Sequence, residues 1–180
     1  MKKIVWVFGL IIGVILCINI FYTVHMLYNN QDLHLNEVTA YTAMVVLFSL
    51  IYFGIRNYRN KQLNGFISFG KAFKTGFFIA LIGSSMYVVV WIFYYYLFVP
   101  DFVDIYIPYA LREIPADQLA TKTAELEQLR EMYKNPIFVV LITYFEVLPI
   151  GLIVTLVSAL LLKRKKKAGT GNDSQKVFET

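Results

Sequence analysis

The sequence predicts an all-α integral membrane protein with four transmembrane helices and one extramembrane amphipathic helix between the third and fourth. Three observations carry this. Of 180 residues, 58% are hydrophobic and only 16% charged, whereas a soluble domain carries about 25% charged residues. Four apolar runs approach or exceed the length of about 20 residues that a hydrocarbon core demands. Lysine and arginine gather in short clusters beside those runs and not along one amphipathic face, so the net charge of +5 reflects membrane topology. The bilayer is the expected surrounding, and no nucleic-acid partner is expected.

The first run, 4–27, follows Met1-Lys2-Lys3. It imitates a secretory signal, but it continues beyond about 15 residues and meets no A-x-A-like site, so it is expected to remain as an anchor. Cys17 is the single cysteine, which excludes an intramolecular disulfide and any multi-cysteine metal site. Its place in an apolar run points to packing, and Val14-Ile15-Leu16 before it argues against lipoprotein processing. The second run, 38–55, is the shortest. The third, 73–99, closes at Val99-Pro100, because the residue before proline is driven out of helical geometry. Tyr94, Tyr95 and Tyr96 near its exit suit the headgroup level. The fourth, 137–162, opens at Asn135-Pro136, where asparagine caps free amides and proline at the first helical position loses no needed donor. Backbone in hydrocarbon must satisfy its own hydrogen bonds, and none of these runs alternates as a barrel strand does, so each reads as a helix.

Orientation follows from the cations. Lys2 and Lys3, then Arg56, Arg59, Lys61, Lys71 and Lys74, then the run from Lys163 to Lys167 share one side. That side should be the cytoplasm, with both termini on it. The opposite connections carry Asp32, Glu37, Asp101, Asp104, Glu113, Asp117, Glu125, Glu127 and Glu131 against Arg112, Lys122, Arg130 and Lys134. The outer segment, 100–135, begins with an aromatic-rich stretch, 102–111, expected at the interface. It continues as a helix with Leu119, Leu126, Leu129 and Tyr133 at helical spacing, a stripe that must cover the bundle mouth, the interface or a partner. The polar tail, 168–180, has no periodic apolar face and is expected to be disordered.

Small residues recur at four-residue spacing: Gly9 and Gly13; Gly76, Ala80 and Ser84; Gly151, Thr155 and Ala159. They let helix backbones approach where lipid removes the hydrophobic drive, and they predict packing only. His25 and His34 lack a second ligand at metal-binding spacing. No G-x-S-x-G, H-E-x-x-H or Walker-type loop is present, so no enzyme, metal or cofactor is expected. The lysines after the fourth run suit a stop-transfer anchor, although such a cluster also attracts anionic lipid.

The string Phe53-Gly54-Ile55-Arg56-Asn57-Tyr58-Arg59-Asn60-Lys61, with Gly65-Phe66-Ile67-Ser68-Phe69-Gly70-Lys71-Ala72-Phe73-Lys74-Thr75-Gly76, resembles the most distinctive stretch of domain-of-unknown-function family 4199, small bacterial membrane proteins. The resemblance covers nearly the whole chain. It implies a four-helix bacterial membrane protein and supplies no activity or site residue. Physically, the cations hold this connection in the cytoplasm, Gly65 permits a turn, and Ser68 can cap an interfacial elbow feeding the third helix. A cytoplasmic partner docking on the elbow is the alternative.

Three functions compete, a membrane enzyme ranking third. The first is a non-enzymatic scaffold, assembly or regulatory component of the bacterial cytoplasmic membrane, acting with a membrane-protein partner or as a homo-oligomer. The second is a small transporter or channel, because Glu146 is the one acid well inside a span. At about 1.5 Å per residue it lies roughly 15 Å below the outer surface, near mid-membrane. A carboxylate there costs about 3 kcal/mol, so it should be protonated, hydrogen-bonded or exposed to water. Ser84 and Ser85 at matching depth are the first-choice partners and Asn19 the second. On a helical wheel Glu146 points roughly 140° from Gly151, off the small-residue stripe and toward a second neighbour or an oligomer interface. Pro149 frees the Phe145 carbonyl beside it.

Overall fold

The computed structural model describes residues 1–29, 37–112 and 114–164. His34 and the tail expected to be disordered, 168–180, lie outside them. The described residues form helices and loops, with one isolated antiparallel bridge between Ile67 and Arg164. The helices are α1 (Lys2–Asn29), α2 (Glu37–Phe48), α3 (Leu50–Gln62), α4 (Phe69–Phe98), α5 (Phe102–Leu111), α6 (Leu119–Tyr133) and α7 (Pro136–Leu162). Three of them, α1, α4 and α7, are long and apolar enough to cross a membrane. At about 1.5 Å per residue their 28, 30 and 27 residues exceed a core about 30 Å thick. This is the helical architecture of a multi-pass membrane protein.

The helix ends follow local chemistry. Ser68 Oγ accepts the Lys71 amide at 3.4 Å and starts α4, four residues before the apolar run begins. Asn135 Oδ1 accepts the Ile137 amide at 3.0 Å and starts α7 with Pro136 in its first turn. α4 ends at Phe98, just before Val99-Pro100. Between α3 and α4 the chain reverses through Asn64 and Gly65 at φ of 51° and 84°, a left-handed geometry that glycine adopts without steric cost.

The second apolar run differs from the other three. It divides at Ser49 into α2 of 12 residues and α3 of 13, neither of which alone reaches spanning length. The Ser49 hydroxyl donates to the Val46 carbonyl, its amide is shared between Val45 O at 3.0 Å and Val46 O at 3.2 Å, and the Tyr52 amide returns to Ser49 O. Such local hydroxyl bonding competes with the regular ladder and disturbs it for one turn. α3 then runs seven residues past Ile55, through the basic string to Gln62.

Packing sets the registers. A methyl group at Gly9 would lie 2.8 Å from Ile82 Cβ, one at Gly13 would lie 2.9 Å from Met86 Cβ, and the Phe21 and Tyr94 rings meet edge to face at 4.6 Å. Partners 73 positions apart, as Tyr28 and Asp101 also are, mean that α1 and α4 run parallel. α4 and α7 run antiparallel, since Gly76 faces Thr155, Gly151 faces Ala80, and Tyr144 bonds Ser85. The stripes of small residues in α4 and α7 therefore meet each other. α3 closes the same layer, with Ile51 and Ile55 against Gly76. One core, centred on Ile12, Phe48, Ile51, Ile55, Ile79 and Val147, fills this half of the bundle.

Helix directions bring the starts of α1 and α4 and the ends of α3 and α7 to one end, where Lys2, Lys3, Arg56, Arg59, Lys61, Lys71, Lys74, Lys163 and Arg164 gather. There the Met1 amino group donates to Gln62 Oε1, Arg59 Nη1 donates to Leu162 O at 3.4 Å, and Ile67 exchanges both backbone bonds with Arg164. At the other end α5 and α6 lie over a second core of Val24, Trp91, Tyr95, Val103, Ile107, Leu126, Tyr133 and Val139. The Tyr28 hydroxyl donates to Asp101 Oδ1 at 2.7 Å, and Arg130 joins α6 to α5 through Asp104 at 3.1 Å. Along the predicted stripe of α6, Leu126 and Tyr133 are buried and Leu129 partly so, while Leu119 stays exposed. In vesicles, a cysteine at Leu126 should therefore react with a polar maleimide more slowly than one at Glu127, whose side chain is half exposed; equal rates would place α6 away from the core.

Candidate functional site

Polar side chains within the long helices are the only candidates for chemistry that the sequence singled out, and the structure distributes them. Ser85 sits on α4 with its hydroxyl donating to Leu81 O at 2.7 Å and accepting the Tyr144 hydroxyl of α7 at 2.8 Å. Ser84, one position earlier, is fully buried and its hydroxyl has no partner. Asn19 faces outward on α1, in a groove shared with Ala43, Val46 and Leu47 of α2. Glu146 is exposed on α7, although Gly151 and Thr155 on the same helix are buried. No hydrogen bond joins Glu146 to Ser84, Ser85 or Asn19 among the described residues.

Glu146 has other neighbours. Its charge reaches the phenols of Tyr87 on α4 and Tyr133 on α6, both buried. Tyr133 occupies the junction of the bundle and the outer helices. Burial pushes its phenol well above the ordinary tyrosine range, and the Glu146 charge adds to this. A group whose folded pKa is raised stabilises the fold fully below its unfolded value of about 10 and progressively less above it. Stability should fall as pH rises through and beyond about 10, and Tyr133→Phe should shrink that slope; unfolding midpoints in detergent between pH 8 and 11.5 measure it, and parallel slopes would exclude the assignment.

Other polar groups in the long helices serve the helices themselves. Thr75 and Thr143 return their hydroxyls to Lys71 O and Val139 O, and Thr155 presents its methyl to Gly76 while its buried hydroxyl lacks a partner. No group of three or more metal-ligating side chains occurs among the described residues. Tyr144, Tyr87 and Tyr133 are the participants that sequence reasoning missed. A signal existed for Tyr144, since a tyrosine inside a span needs a partner for its hydroxyl, and Ser85 lies at its depth on the adjacent helix.

With this arrangement, a family model for proteins of unknown function, DUF4199, matches residues 7–164. The chain belongs to the DUF4199 family. No curated protein matches this DUF4199 chain and no solved structure does so. The elbow between α3 and α4, with its basic string and Ser68 cap, lies within the matched region.

Proposed function

We propose that this DUF4199 protein is a non-enzymatic scaffold, assembly or regulatory component of the bacterial cytoplasmic membrane. The observation that carries this reading is where its polar groups point. The helices pack so tightly at their glycines that a methyl group at Gly76 would lie 2.6 Å from Thr155 Cγ2 and one at Gly54 would lie 2.7 Å from Ile79 Cδ1. Glu146 and Asn19, by contrast, are exposed, Glu146 beside the buried Tyr87 and Tyr133. Tight helix contacts together with exposed polar groups in the long helices suit a protein that recognises other membrane components. Native co-purification from the producing cell should return a specific membrane partner. Recovery of the chain alone, together with solute flux in reconstituted liposomes, would reject the scaffold.

In this reading α2 and α3 act together as the second span, about 39 Å along the chain from Glu37 to Gln62 at about 1.5 Å per residue, giving four spans. The basic end lies in the cytoplasm with both termini, as lysine and arginine bias requires, and α6 is the outer amphipathic helix. Reporter fusions at Asn60 and Thr180 should register as cytoplasmic and one at Lys122 as exterior. A cytoplasmic signal at Lys122 would overturn the arrangement.

A second reading, a small transporter or channel, is favoured by one observation: Glu146 remains accessible within a span. Glu146→Gln keeps shape and hydrogen bonding but removes titration. If the Gln variant restores a knockout phenotype completely, the transport reading fails and the acid is structural.

A further inference from the structure

We propose that the outward groove between α1 and α2 is a homodimer interface, closed by a reciprocal hydrogen bond between the Asn19 side chains of two copies of this chain. The groove, about 360 Å³, is lined by Ile15, Ile18, Asn19 and Tyr22 of α1 and by Ala43 and Val46 of α2. Asn19 is exposed and forms no hydrogen bond among the described residues, and it lies eight positions before Leu27, so it sits about 12 Å inside the end of the apolar run. An amide facing lipid at that depth leaves two donors and an acceptor unsatisfied, which hydrocarbon penalises.

Several features select a second copy as the occupant. An acyl chain offers neither donor nor acceptor. A carboxamide is self-complementary, donating through its nitrogen and accepting through its oxygen, so a two-fold axis along the membrane normal satisfies both copies at once. Identical chains inserted the same way hold Asn19 at equal depth without further design. Ile15, Ile18 and Tyr22 recur at spacings of three and four, the seam of a parallel helix pair, and Ile18 and Tyr22 are 61% and 60% exposed. Ala43 beside the seam lets the partner helix approach closely. The interface is independent of whether the protein acts as scaffold or transporter.

The test uses the full chain with Cys17→Ser in vesicles of phosphatidylethanolamine and phosphatidylglycerol. Under mild oxidation Asn19→Cys should give a disulfide dimer on denaturing gels, Ile18→Cys should do so as well, and Ile153→Cys on α7 should stay monomeric. In parallel, energy transfer between singly labelled copies is titrated against lipid. Asn19→Leu should dimerise at a protein density about 3- to 20-fold higher than the parent, the range expected for one interhelical polar contact in a membrane. Circular dichroism confirms that each variant retains its helix content, and Ile18→Cys carries the cross-linking arm if Asn19→Cys does not fold. Absence of cross-linking at both seam positions, equal cross-linking at Ile153→Cys, or an unchanged dimerisation density for Asn19→Leu overturns the proposal. So does a parent that stays monomeric while Asn19→Leu loses co-purifying phospholipid, which would assign the groove to lipid.

Discussion

Gly76→Leu should lower the stability of the bundle by about 3 kcal/mol or more, beyond the 1–3 kcal/mol typical of an overpacked core. The first added carbon alone would lie 2.6 Å from Thr155 Cγ2 and 3.0 Å from both Ile51 Cγ2 and Ile55 Cδ1. None of these neighbours can retreat freely, because Thr155, Ile51 and Ile55 are fully buried and belong to two different helices. The substitution must therefore part α3, α4 and α7 together. Gly70, in the first turn of the same helix, has nothing within 4 Å, so Gly70→Ala should stabilise by about 0.5–1 kcal/mol through helix propensity. Titration of both variants from mild detergent into dodecyl sulfate, followed by circular dichroism, measures the pair. A Gly76→Leu midpoint equal to that of the parent would mean that the three helices do not meet at this position.

Trp91→Ala should cost about 3–5 kcal/mol, the range for deleting a large buried aromatic side chain, and should loosen the outer helices first. Trp91 is 3% exposed. Its ring meets Phe102 of α5 edge to face at 5.0 Å and lies 6.0 Å from Tyr95, whose own ring meets Tyr133 at the end of α6 edge to face at 5.3 Å. Trp91, directly and through Tyr95, thereby anchors both outer helices, whose mutual tie, Arg130 to Asp104, involves an exposed carboxylate and contributes little. Limited proteolysis between α5 and α6 should accelerate in Trp91→Ala, while Trp91→Phe should lie between it and the parent because the smaller ring keeps only part of the packing. Unchanged cleavage would detach the outer helices from Trp91.

Three of the predicted spans coincide with single helices because hydropathy and length are strong, local signals. Their ends were legible where a side chain could be assigned a capping role, as at Ser68 and Asn135. The break at Ser49 was not, because it depends on one hydroxyl choosing the Val46 carbonyl inside an otherwise uninterrupted apolar run. Hydropathy also marks where lipid stops, not where a helix stops, so α3 outlasts its apolar run by seven residues to Gln62. At the polar positions, counting rise from each helix end brought Ser84 and Ser85 level with Glu146, and the bond from Tyr144 to Ser85 shows these parts of α4 and α7 side by side. Rotation about the axis was read only for Glu146, which the helical wheel set off the small-residue stripe, and not for Tyr144. It turns Tyr144 toward Ser85 and leaves Glu146 exposed, and only the packed neighbours determine it.

The parallel alignment of α1 with α4 has a biosynthetic consequence. Met86, which covers Gly13, lies 57 positions beyond Asn29, the last residue of α1. At about 5–20 residues per second, α1 waits roughly 3–11 s after its own completion before its principal partner has been synthesised. During that interval Gly9 and Gly13 form an open notch on α1, beside α2 and α3 once these are made, available to any passing helix with small residues of its own. Early commitment of α1 to the bilayer and late closure of this notch make α4 the step at which the nascent chain stops being a set of independent anchors and becomes a bundle.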